Sequence, residues 1–190
     1  MKLGLYGGSF DPVHLGHLLV AQAAQEELGL DRLFFIPAAQ SPFKTGTDHA
    51  PGAIRQQLLR LALAGKTACE VDDQEIRHGG VSYTVNTLRD YARRFPGAQL
   101  FYIIGTDNAA KLDEWREASE LAKLAEFIAI PRPGGEPAVF PPPFRGRTLK
   151  GFPIGISSTQ IRARIKASQP VDDLLPLAVA DAIRQGHLYL

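Results

Sequence analysis

Three observations predict a parallel α/β sheet covered by helices on both faces. Short apolar runs alternate with stretches of helical periodicity through the first two thirds of the chain. The runs are continuously apolar rather than alternating, so both of their faces are expected to be buried. The loop stretches 7–17, 37–44 and 105–108, the first and last of them with glycines, leave three of these runs at their carboxyl ends. In open parallel sheets that edge is where ligands bind.

Residues 2–6 (KLGLY) read as the first buried strand. Leu15, Leu18, Leu19, Ala23 and Leu28 then recur at near-helical spacing until Gly29 ends the pattern. Residues 32–36 (RLFFI) form a second strand, closed by Pro37, and a loop runs through Pro51. A helix is predicted over 53–64, with Ile54, Leu58 and Leu61 on one stripe, and a short strand over 69–72. Residues 81–95 begin in a Gly-Gly-Val-Ser loop and continue as a helix through Val85, Leu88, Ala92 and Phe95. Residues 99–104 (QLFYII) are a strand, a helical stretch leads past Trp115 to Leu124, and 125–130 give another strand. Residues 131–153 hold seven of the fourteen prolines and read as an extended loop. A helix then starts in ISSTQIRARIK (156–166), and a last one lies around 176–184.

The chain has 190 residues, of which 45% are hydrophobic. That length buries roughly 70% of the unfolded surface, enough for one domain with one substantial core. Lys plus Arg number 21 against 20 Asp plus Glu, so no basic surplus marks a nucleic-acid track. One cysteine, Cys69, excludes an internal disulfide and a cysteine zinc site. The first apolar run is too short for a signal peptide, and no window approaches a membrane span. A cytoplasmic setting is expected.

The stretch GGSFDPVHLGH (7–17) is open to three readings, a metal site, a phosphate site or a turn. His14 and His17 are three apart at a helix start and share a face. Zinc would need a third ligand; Asp11 is near, but no other His or Cys has suitable spacing. Phosphate is favoured by the glycines, by the free N–H groups of the helix start and by imidazoles that donate to oxygen. The stretch is neither a dinucleotide fingerprint nor a P-loop. In ISSTQIR, Ser157 or Ser158 can cap a helix whose face carries Ser158 and Arg162, with Ile161 and Ile165 on another. Alone, this is equally a plain capped amphipathic helix. Lys44 offers a second phosphate contact, Trp115 a stacking platform, and Asp107 an acceptor for ribose hydroxyls or a helix cap.

Together, GSFDPVHLGH and ISSTQIR, roughly 140 residues apart, resemble the two signatures of the nucleotidyltransferase superfamily. Residues 37–44, 79–91 (GGVSYTVNTLRDY), 101–108 (FYIIGTDN), Trp115, 130–134 (IPRPG) and the terminal GHLYL extend the resemblance over the whole chain, to the bacterial nicotinate-nucleotide adenylyltransferase family. The resemblance implies a Rossmann-like doubly wound parallel sheet with a small C-terminal helical part. It implies a single nucleotidyltransferase domain over 1–190, with 155–190 as the helical subdomain. The implied reaction joins ATP and nicotinate mononucleotide into deamido-NAD and pyrophosphate, with Mg²⁺. By match to the motifs, His14, His17 and Arg162 are the catalytic set, and Gly8, Ser9, Phe10, Asp107, Ser157 and Ser158 meet ATP. Lys44, Tyr83, Thr84 and Trp115 meet the mononucleotide. Neither nucleic acid nor membrane is an implied partner, and no resident protein-held metal is implied. The family often has Pro-Pro-His-Lys where this chain has Ser41-Pro-Phe-Lys, and Phe43 donates no hydrogen bond there. Rival readings are another superfamily transferase, such as a phosphopantetheine type, or a nucleotide-binding module without catalysis.

Overall fold

A computed structural model of the chain describes residues 1–40, 42, 49–131, 133–152 and 154–190. The elements run β1 (Lys2–Gly8), α1 (Leu15–Leu28), β2 (Arg32–Pro37), α2 (Gly52–Ala62), β3 (Cys69–Val71), α3 (Gln74–His78), α4 (Thr84–Arg94), β4 (Gln99–Gly105), α5 (Thr106–Ala109), α6 (Ala118–Leu124), β5 (Glu126–Ile130), β6 (Gly146–Thr148), α7 (Ser158–Lys166) and α8 (Leu177–Gln185). Six strands form one sheet in the order β3-β2-β1-β4-β5-β6, and every pairing is parallel. The chain winds outward from β1 to β3, then crosses back through α4 to β4 on the other side of β1. Strand order therefore reverses between β1 and β4, whose carboxyl ends are Gly8 and Gly105. The crevice above such a reversal is where this architecture takes a nucleotide.

Alternate residues of each central strand enter two separate cores. Tyr6, Phe35, Phe101, Ile103 and Ile128 face α1, α2, α7 and α8. Leu3, Leu5, Phe34, Ile36, Tyr102, Ile104 and Phe127 face α4 and α6. Burial on both faces is the reason the strands read as unbroken apolar runs, each fully buried Leu, Ile or Phe contributing about 1.5–3 kcal/mol. Residues 155–190 feed the first core through Ile161, Leu175, Val179 and Ile183.

The structure corrects several boundaries. The core-facing side of α2 is wider than the predicted stripe: Ile54, Leu58 and Leu61 pack on the core, and Arg55, Leu59 and Ala62 are buried beside them. The short α3 was not predicted; its five residues are too few to show a helical period. The predicted helical stretch past Trp115 is broken into α5, a 3₁₀ turn over Leu112–Glu114, and α6. Trp115 is extended there and Glu117 takes φ 55°, which no continuous helix allows. The proline-rich segment 131–153 contains β6, paired in parallel with β5 from Gly146 opposite Phe127 to Thr148 opposite Ala129. Gly-Arg-Thr shows no apolar run because this edge strand is largely exposed.

Ile161 of α7 is fully buried against this core. Ile161→Ala should cost about 2–5 kcal/mol of stability. Denaturant unfolding checks this, and a loss well under about 1 kcal/mol would contradict the packing.

Candidate active site

At the end of β1 the chain has little room. A Cβ on Gly7 would lie 2.2 Å from the Tyr102 hydroxyl of β4. Phe10 takes φ 46° and turns its ring inward, edge-on to Tyr6 at 5.3 Å and against His17 at 4.9 Å. After the cis Asp11–Pro12 bond, His14 occupies the N-cap of α1 in extended conformation. Its backbone N–H donates to His17 Nδ1 at 3.1 Å, and the two imidazoles lie 3.7 Å apart. With Nδ1 accepting, a neutral His17 carries its proton on Nε2. His14 Nδ1 is buried without a hydrogen-bond partner, and burial pushes the His14 imidazole down to about 4. Gly16 makes the arrangement possible, since a Cβ there would approach His14 Nδ1 to 3.0 Å.

The second motif docks onto the first. Ser157 caps α7 by accepting from Gln160 N–H at 3.2 Å. Ser158 Oγ donates to the Pro12 carbonyl at 2.9 Å, and Arg162 Nη1 to the Asp11 carbonyl at 2.7 Å. The predicted shared face of Ser158 and Arg162 is thus the face that meets the N-terminal loop. Both serine hydroxyls are engaged within the protein, so a phosphate at this end would meet the backbone N–H groups of the first turn and the remaining guanidinium N–H groups.

The sequence reading left out the residues that hold this loop. Asp11, considered there only as a metal ligand, is completely buried. Its carboxylate lies 2.8 Å from His49 Nδ1, accepts from Tyr189 Oη at 2.7 Å and from Ala50 N–H at 3.3 Å, and sits 3.9 Å from Arg162. Arg55 donates to the carbonyls of Ser9, Ala38 and Ala50, at 2.8, 2.8 and 2.9 Å, fastening the exits of β1 and β2 together. The signal for Arg55 was present: it is a charged residue at the spacing of Leu58, Leu59 and Ala62 on a buried stripe.

Gly8, Ser9, Phe10, His14, His17, Ser157, Ser158 and Arg162 line one cleft of about 920 Å³. Thr84 and Trp115 line both this cleft and an adjoining cavity of about 460 Å³, which also takes in Tyr83 and Arg116. The Arg116 guanidinium lies 4.4 Å over the Tyr83 ring. Thr84 opens α4 and donates to Tyr102 Oη at 3.3 Å. Glu75 borders the cleft floor, accepts from Thr87 Oγ1 at 2.5 Å, and is pushed up by burial against the hydroxyls of Thr87 and Ser82. Asp107 is exposed in α5 and is not its cap, which is Gly105; its neighbours Gly105 and Asn108 line the cleft. Lys44 and Phe43 lie outside the described residues.

Among the described residues, no group of three or more His, Cys, Asp or Glu could hold a metal ion. The polar groups beside the cleft's helix starts are imidazole, hydroxyl and guanidinium. Magnesium takes oxygen ligands, keeps several waters and is commonly bound through substrate phosphates. That donor set fits phosphate oxygens, and a magnesium ion would arrive on them.

A cytidylyltransferase-like family model matches residues 5–164. Fold and motif placement thus define a nucleotidyltransferase of that class. The probable nicotinate-nucleotide adenylyltransferase of Opitutus terrae is 42% identical over 191 residues, covering 100% of this chain and 98% of its own. That of Thermus thermophilus is 41% identical over 194 residues, with both chains covered in full. The chain belongs to the cytidylyltransferase-like family and, within it, to the nicotinate-nucleotide adenylyltransferases. Its fold also matches Plasmodium falciparum nicotinic acid mononucleotide adenylyltransferase complexed with NaAD, with a TM-score of 0.80 at 18% identity over 99% of this chain and 97% of that one. The same enzyme complexed with APC gives 0.77 at 19% identity, over 99% and 96%.

The buried His14 makes stability depend on pH. Between pH 6.5 and about 4 the unfolded chain protonates this imidazole and the folded chain does not. Its contribution is therefore complete above pH 6.5 and is lost as pH falls to about 4, amounting to about 3 kcal/mol. Urea unfolding of the wild type and His14→Asn across that window checks this. The variant should lose less stability on acidification, and parallel curves would contradict it.

Proposed function

We propose that this chain transfers the adenylyl group of ATP to nicotinate mononucleotide, giving deamido-NAD and pyrophosphate in NAD biosynthesis. The observation that carries the reading is the docking of α7 onto the FDPVH loop, which sets two helix N-termini, two imidazoles and a guanidinium around one cleft. Full-length identity of 41–42% to nicotinate-nucleotide adenylyltransferases supports the substrate pair. The proposed unit is the whole chain, 1–190, with 155–190 as the helical subdomain that delivers Arg162. The proposed setting is the cytoplasm; among the described residues no helix is long and apolar enough to cross a membrane.

The 5′-phosphate oxygen of the mononucleotide attacks the α-phosphorus of ATP in line. The bond from that phosphorus to the bridging oxygen breaks, and pyrophosphate leaves with the electron pair. A phosphate monoester has its second pKa near ~6, so the nucleophile is already ionised and needs no general base. The barrier is the approach of two anions and the charge gathering on the leaving group, and positioning with fixed donors lowers it. His17 Nε2–H, the open N–H groups of α1 and α7, and Arg162 are the donors. His14 is neutral in the free site and takes up a proton more readily beside a polyphosphate, because an adjacent anion raises an imidazole pKa. Mg²⁺, carried on the triphosphate, supplies further charge neutralisation when bound. On the acceptor side, the ring stacks on Trp115 while the first turn of α4 at Thr84 and the Arg116 guanidinium favour a carboxylate. Lys44 is proposed for the mononucleotide phosphate, and Gly8, Ser9, the Phe10 backbone and Asp107 for the adenylate side.

Pyrophosphate release from ATP with a panel of acceptors tests the reading. Nicotinate mononucleotide should be turned over with a kcat/KM at least about ten-fold above its amide analogue, the difference of a charge-assisted hydrogen bond. Equal values would refute the carboxylate recognition, and preference for phosphopantetheine would replace the substrate. In the same assay His17→Ala should lower kcat by about a hundred-fold while the KM for ATP moves only a few-fold. An unchanged kcat would remove His17 from the mechanism.

A further inference from the structure

Asp11 is a carboxylate with no exposed surface, placed 3.9 Å from the Arg162 guanidinium. Left to itself, such a carboxylate would close on the nearest cation. Here the ion pair stays long, 3.9 Å from Nη1 to Oδ2, and Arg162 Nη1 donates instead to the Asp11 backbone carbonyl at 2.7 Å. The carboxylate is instead held by the Tyr189 hydroxyl at 2.7 Å, the Ala50 N–H at 3.3 Å and the His49 ring at 2.8 Å. Tyr189 reaches it from the segment after α8, where His187 and Tyr189 both take positive φ, 48° and 66°, and Leu188 N–H bonds back to the Ile183 carbonyl. Its ring packs on the same core as α7 and α8. Neither Tyr189 nor Asp11 lines the cleft.

We infer that Tyr189 is a positioning residue for the phosphate site: its hydroxyl turns the Asp11 carboxylate away from Arg162, so that the guanidinium stays available to phosphate. Without the hydroxyl, Oδ1 keeps, among the described residues, the long Ala50 contact, and the carboxylate, still held at Oδ2 by His49, turns and shortens its 3.9 Å pair with Arg162. A guanidinium neutralised by an internal carboxylate is a poor partner for a triphosphate. Burial drives the Tyr189 pKa upward, so the hydroxyl keeps its proton and remains a donor.

The inference rests on the adenylyltransferase reading for its kinetic arm and stands without it for its binding arm. Tyr189→Phe keeps the ring and removes the hydroxyl. Its kcat with ATP and nicotinate mononucleotide should fall about ten-fold with the mononucleotide KM unchanged, and its affinity for inorganic tripolyphosphate by calorimetry should fall by about as much. In the Asp11→Asn background, which has no charge to capture Arg162, Tyr189→Phe should cost less than two-fold in either measurement. A Tyr189→Phe variant matching wild type, or one losing the same factor in both backgrounds, overturns the inference. Wild-type inactivity with every acceptor would refute the adenylyltransferase reading instead, and tripolyphosphate affinity would still decide the role of Tyr189. Should Tyr189→Phe not fold, deletion of residues 189–190 removes the same hydroxyl and is read by the same ratios.

Discussion

The site depends on two hydrogen bonds that close the chain on itself. Ser158 and Arg162 donate to the carbonyls of Pro12 and Asp11, across sequence separations of 146 and 151 residues. Each carbonyl belongs to the loop that leads into α1, so the bonds fix where one helix starts relative to the other. The sheet alone does not set that distance, because nine residues intervene between β6 and α7. Ile161 supplies the apolar component of the same contact, buried one turn along. In the proposed reaction, an anion bridging the two helix starts would find donors already aimed, with little reorganisation left to accompany the chemistry.

The electrostatic design is a separation of roles among cations. Arg55 donates to three loop carbonyls from outside the cleft lining and so shapes the site. Arg162 is partly committed to a carbonyl and retains donors. His14 is held neutral by burial, which keeps a second positive charge from the close imidazole pair.

Much of this was legible in the residues. The strand runs, the two histidines at a helix start and the Ser158–Arg162 face follow from periodicity and spacing, which local sequence carries directly. The docking partners did not. Nothing near Tyr189 announces Asp11, and a buried carboxylate in an Asp-Pro step looks like a turn residue. Arg55 was hidden because a periodicity count treats a charge as the exposed face, and here three carbonyls make burial favourable. β6 was hidden because an exposed edge strand needs no apolar face. Trp115 lines the cleft and its adjoining cavity, but the helix expected through it is broken, since the left-handed Glu117 leaves no mark in a run of helix-forming residues.

β6 has a consequence for chain entropy. By pairing with β5 from Gly146 to Thr148, it pins the proline-rich excursion partway and leaves two tethered spans, 131–145 and 149–157. Closing a loop costs only logarithmically more with length, so the gain in stability is modest. The larger effect is on reach. From Thr148, nine intervening residues allow Ser158 a span of at most about 35 Å from a fixed point on the sheet edge. The leash keeps the second motif in the neighbourhood of the first even when the hydrogen bonds between them open, so re-docking is a short intramolecular search.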